Sequence, residues 1–131
     1  MARYSFDGAV HSAKAARREV ADALQVAGVQ STGQAVLLTS ELVANAIEHA
    51  GTDFDVVVEI DDLRVRIEIH DGAAVGEAFR DLMKAPPVAV DPSSPRGRGL
   101  ALVGLSAAQF GLIDNGAEGK AVWFEMRRQD A

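Results

Sequence analysis

Cysteine is absent from the 131 residues of the chain. Disulfides and thiolate-held metals are thereby excluded, and a reducing, cytoplasmic setting fits. No stretch approaches the ~18 consecutive apolar residues of a membrane span. The first residues, Met1-Ala2-Arg3-Tyr4-Ser5-Phe6-Asp7, lack the apolar centre of a secretory signal. Positive charge is in deficit: 13 Lys and Arg against 19 Asp and Glu give a net charge of −6 and a pI near 4.9. That balance argues against bulk nucleic-acid binding. Lys14, Arg17 and Arg18 do cluster, but solvation of a helix surface explains them as well. The four prolines all fall within residues 85–96, and no internal repeat is visible.

Hydrophobic residues make up 48% of the chain and charged ones 24%, with a mean hydropathy of +0.05. These values predict one globular domain spanning residues 1–131 around a single core. Tyr4 and Phe6 suggest a short strand within residues 3–10. Ser12 is placed to cap a helix running to about Ala27, stopped by Gly28, with an apolar line of Ala13, Ala16, Val20, Leu24 and Ala27. Ser31-Thr32-Gly33-Gln34 has the capping-box form and opens a second helix that ends at Gly51. Phe54, Val56, Val58 and Ile60 alternate, as do Leu63, Val65, Ile67 and Ile69, with Asp61-Asp62 turning between them, which predicts an antiparallel hairpin. Its other face carries Asp55, Glu59, Arg64, Arg66 and Glu68, so helices should cover the sheet on one side only. A short helix around Glu77–Lys84, the Pro-rich loop of residues 85–96, a helix restarting at Gly99, and strands near Phe110–Ile113 and Ala121–Arg127 complete a two-layer α+β sandwich.

The second helix carries the first chemical signal. At ~100° per residue, Val36, Leu38, Leu42, Val43, Ala46 and Ile47 share one arc. Glu41 and Asn45, roughly 40° apart around the axis, sit at its border. They could be solvated flank residues. Alternatively, Asn45 offers an amide oxygen to Mg²⁺, a hard cation that keeps waters, and Glu41 one turn away offers a general base. Asp71-Gly72 at a strand end is either a turn or a carboxylate that accepts a hydrogen bond from the exocyclic amine of adenine. Arg96-Gly97-Arg98-Gly99-Leu100 is either a flexible loop end or a helix N-terminus that brings backbone N–H groups and arginines to phosphate. His49 reads as packing, Glu48 as solvent-facing, and Trp123 as structural.

The order of these pieces resembles the GHKL (histidine kinase-like) ATPase superfamily. Within it, the chain is most similar to the small standalone serine kinases that act as anti-sigma factors, of the actinobacterial type. Glu41-Leu42-Val43-Ala44-Asn45-Ala46 with His49-Ala50 matches the first box, Gly97–Val103 the glycine box, and Gly119-Lys120-Ala121-Val122-Trp123-Phe124-Glu125 the closing strand. The resemblance implies a histidine kinase-like (Bergerat) fold with a mixed, mostly antiparallel sheet covered by helices on one face. It implies an ATP- and Mg²⁺-dependent serine/threonine protein kinase with Glu41 as base and Asn45 as Mg²⁺ ligand. Asp71 and Gly72 would lie at the adenine, Arg96, Gly97, Arg98, Gly99 and Leu100 at the phosphates, and residues 85–96 would form an ATP lid. The implied partners are a sigma factor and a small anti-anti-sigma antagonist that carries the acceptor serine. A homodimer is expected as an option, and neither direct nucleic-acid nor membrane contact.

Two departures bear on the adenine end. The family's Asp-x-Gly-x-Gly box reads Asp71-Gly72-Ala73-Ala74-Val75, and Ala121 stands where the family usually has Thr. The lost hydroxyl should weaken ATP binding, by roughly 0.5–1.5 kcal/mol per polar contact. The alternative expectation is a degenerate, non-catalytic GHKL-fold module that sequesters a regulatory partner with little or no ATP binding. The ATPase half of a split sensor histidine kinase ranks behind both, because no phosphoacceptor-His dimerisation helix precedes the domain.

Overall fold

In the computed structural model, which describes residues 1–84, 103 and 106–131, the alternating stretches pair into one sheet. Strands β1 (Ala2–Phe6), β2 (Phe54–Ile60), β3 (Arg64–Asp71), β4 (Gln109–Asp114) and β5 (Lys120–Arg127) lie in the order β1-β2-β3-β5-β4. Every pairing is antiparallel. The mixed sheet that the family resemblance implied is therefore not found among the described strands. Helices α1 (Ser12–Val26), α2 (Gly33–Asn45) and α3 (Glu77–Lys84) complete the layers, and α1 and α2 pack on one face of the sheet. No described helix is long and apolar enough to cross a membrane.

Period two decides which residues meet the helices. In register, Val56–Ile69–Val122, Val58–Ile67–Phe124 and Ile60–Val65–Met126 cross the sheet on the covered face. Against them α1 sets Ala16, Val20 and Leu24, and α2 sets Ala35, Leu38, Leu42 and Val43, all of them buried. Truncating one of the larger of these, as in Leu38→Ala, should cost about 2–5 kcal/mol. Val103 is also fully buried in this core.

The opposite face is polar. Arg66 reaches Glu68 at 2.8 Å and Glu125 at 3.0 Å, and His70 Nε2 lies 2.8 Å from Glu68. The Arg66 guanidinium stacks 4.1 Å over the Trp123 ring. Trp123 in turn lies across Gly111, where a Cβ would come within 2.8 Å of the indole. Trp123 is thus a structural residue of the outer face.

Several helix ends differ from the local sequence signals. Ser12 lies inside α1 and is buried, and its hydroxyl donates to Asp7 Oδ1 at 2.7 Å instead of capping the helix. The Ser31/Gln34 capping box does not form: Thr32 holds the cap position of α2 without a side-chain bond. The Ala35 N–H is satisfied by the Ala131 carbonyl at 2.8 Å, a long-range partner that no local motif encodes. At the β2–β3 turn, Asp61 Oδ1 accepts the N–H groups of Leu63 and Arg64 at 2.8 and 2.7 Å. Those two donors hold its carboxyl below the ordinary value.

Candidate functional site at the end of the second helix

Helix α2 does not stop at Asn45. It runs into one π turn, Ala46–Ala50, closed by the Gly51 N–H on the Ala46 carbonyl at 3.3 Å, with Gly51 left-handed at φ 64°. Such single π turns recur at functional sites because they redirect side chains within a continuous helix. Here the turn carries Ala46 and His49 to the ends of β3 and β5. Leu42, Asn45, Ala46, His49, Ile69, Asp71, Phe79, Lys120 and Val122 line the resulting pocket. His49, expected to pack in the core, is instead exposed at the pocket's edge.

Asn45 and Asp71 thus meet across one pocket although they are far apart in sequence. Asn45 is half-buried on the helix side. Glu41 sits one turn before it, also half-buried, and is not among the lining residues. Neither side chain hydrogen-bonds to another described residue. Asp71 closes β3 and is buried. Its Oδ1 accepts the Ala73 N–H at 2.9 Å and an N–H of the Lys120 ammonium at 3.0 Å. The Gly72 N–H donates to Thr52 Oγ1 at 2.9 Å, which ties the strand end to the loop after the π turn.

Lys120 is the residue that sequence reasoning missed. Its side chain is 7% exposed and that of Asp71 only 3%, so this is a buried ion pair at the head of β5. Phe79 of α3 covers it, with Nζ 4.9 Å from the ring centroid. Gly119 sets the register: its φ is +114°, and a Cβ there would lie 1.9 Å from the Asp71 carbonyl oxygen, so a side chain would push the two strands apart. The signal was present in the period of the closing strand. Val122, Phe124 and Met126 face the core, so Lys120 must face the same way.

The same alternation turns Ala121 to the other face. It pairs with His70 on the outer face and does not line the pocket. The side chain that meets Asp71 is that of the preceding residue. Arg96, Gly97, Arg98, Gly99 and Leu100, and the lid of residues 85–96, lie outside the described residues.

A metal could draw on few protein ligands here. No three acidic or histidine side chains converge among the described residues. A single carboxamide oxygen at Asn45 suits a cation that keeps its waters and shares phosphate oxygens, as Mg²⁺ does, rather than one held in a protein cage.

The described pocket lies between a helix and the ends of antiparallel strands of an α+β domain, with a carboxamide on one wall and a carboxylate on the other. Residues 6–126 match the family of histidine kinase-like ATPase domains, and the chain belongs to that family. Membership implies ATP as the nucleotide, typically with Mg²⁺, and the class of an ATP-using enzyme. A search of curated proteins gives no significant match.

Proposed function

We propose that this chain is an ATP- and Mg²⁺-dependent serine protein kinase that acts as an anti-sigma factor or partner-switching regulator. Its substrate would be a serine hydroxyl on a small antagonist protein. The observation that carries the reading is the convergence of Asn45 and Asp71 on one pocket in a histidine kinase-like ATPase domain. Asp71 would receive the adenine amine, and Asn45 would hold Mg²⁺ against the triphosphate. When bound, Mg²⁺ neutralises phosphate charge, which favours transfer to an attacking oxygen. Glu41, one turn from Asn45 at the edge of the site, would accept the proton of the serine hydroxyl. So small a site suits phosphoryl transfer, which depends mostly on positioning and charge.

The test is single-turnover labelling of a small candidate antagonist protein, using ATP labelled at the γ-phosphate. Labelled serine is the expected outcome. Tight antagonist binding without label would defeat the kinase reading. A second reading, a binding module of the same fold that does not transfer phosphate, draws on the Asp71–Lys120 pair, which occupies the adenine end of the pocket. It predicts no Mg²⁺-dependent nucleotide affinity in a calorimetric titration.

A further inference from the structure

Deepening the nucleotide reading of this pocket, and resting on it, we infer that Lys120 is a built-in competitor for the nucleobase, held in place by Phe79. The site is therefore self-occupied at its base end until both side chains move.

Three observations converge on this inference. The first is chemical. The group that recognises an exocyclic amine is a carboxylate accepting N–H, and Asp71 Oδ1 already accepts an N–H from the Lys120 ammonium at 3.0 Å. The lysine stands where an amine donor of a purine would stand. The second is steric. The space enclosed by the lining residues is about 10 Å³, which holds no more than about one water molecule. Pockets that bury small ligands run to roughly 300–1,000 Å³. A planar base cannot enter while the Phe79 ring and the Lys120 stem remain as they are.

The third is architectural, because the two plugging groups come from different elements. Lys120 is fixed in register by Gly119, at the rigid junction of β3 and β5. Phe79 rides on α3, which follows the strand-end loop after Asp71. An ion pair joins α3 to the end of β4 through Arg80 and Asp114. Base admission is thereby coupled to displacement of α3, and the lysine sets how tightly a base with an amine can compete for Asp71. In this way Lys120 tunes both nucleotide affinity and the preference for amine-bearing purines.

Calorimetric titration of Mg-ATP and of Mg-ITP, whose base carries a carbonyl in place of the amine, into the wild-type chain, Lys120→Met and Phe79→Ala tests this. Lys120→Met keeps an unbranched apolar stem and removes the competing charge. Phe79→Ala opens the space but leaves the ion pair, so it decides the matter should Lys120→Met fail to fold. Each variant should bind ATP roughly tenfold tighter than wild type, because a charge-assisted contact or a steric closure no longer has to be broken. For Lys120→Met the gain should be confined to ATP. Binding by the variants alone, with none by wild type, also supports the plug.

An unchanged or weaker ATP affinity in Phe79→Ala, or an equal gain for ITP in Lys120→Met, overturns the inference while leaving the nucleotide site in place. Absence of nucleotide binding by all three proteins overturns the plug and the nucleotide reading together.

Discussion

The two walls of the pocket differ in how their polar groups are satisfied. On the helix side, Asn45 at the wall and Glu41 one turn before it are half-buried and make no side-chain hydrogen bond to described residues. On the strand wall, Asp71 and Lys120 are buried, bonded to each other and covered by Phe79. One side leaves its polar groups unpaired among the described residues, whereas the other pairs its own. The physical reason is depth. A carboxylate at the buried end of β3 must be paired because an isolated buried charge is costly. A carboxamide or carboxylate at the helix border has water available. The contrast teaches that the same site has a structural end and a responsive end, and that substitutions at the two should fail in different ways.

The largest effect should separate the walls by stability. Lys120→Ala leaves Asp71 buried without its partner and should cost about 3–5 kcal/mol in urea denaturation. Asn45→Ala should stay within about 0.5 kcal/mol, as substitutions away from such features do. Equal losses at both walls would erase the contrast. By chemistry the order reverses. Under the kinase proposal, Glu41→Ala should reduce serine labelling by roughly 10²–10⁴-fold, with ATP affinity changed less than about twofold. Unchanged labelling would make this helix scaffold alone.

Asn45→Ala should weaken Mg-ATP binding by roughly ten- to a hundredfold while leaving metal-free ATP binding nearly unaltered. A uniform loss in both conditions would remove Asn45 from the metal.

The smallest effect lies outside the pocket, on the open sheet face. Burial raises the Glu68 carboxyl, but hydrogen bonds from His70 and Arg66 and their charges overturn that and hold it below its ordinary 4.5. A carboxyl lowered in the folded state contributes stability above its unfolded value, and that contribution is lost as pH falls through the folded one. Thermal melts taken from neutral pH downward should therefore show a shallower acid limb for Glu68→Gln than for wild type. An identical limb would mean that the Arg66 network carries no linkage.

Much of this architecture was legible in the chain. The alternation of Phe54–Ile60 and Leu63–Ile69 foretold the hairpin and its one covered face, and Ala16, Val20 and Leu24 foretold the buried line of α1. Gly51 was read as the helix stop, and Asn45 and Asp71 as site residues that the fold then brought together. What escaped was set by long-range contact. The Ala131 carbonyl replaces the local capping box at α2, because a distant acceptor can satisfy an N–H as well as a near one. The π turn that moved His49 to the pocket has no sequence period of its own. Strand parity sets Lys120, and not Ala121, at the pocket. The alternation of Val122, Phe124 and Met126, continued one step back, turns that lysine to the same face, and the strand register sets it opposite Asp71.

Backbone amide chemical shifts of the isotopically labelled wild-type chain, followed through a Mg-ATP titration, report where nucleotide binds. Shifts should concentrate at residues 41–50, 71–73, 79 and 119–122, with Val57, Arg66 and Trp123 on the opposite face nearly still. Shifts centred on that open face, or none in either the wild-type chain or Phe79→Ala, would contradict a nucleotide site at this pocket.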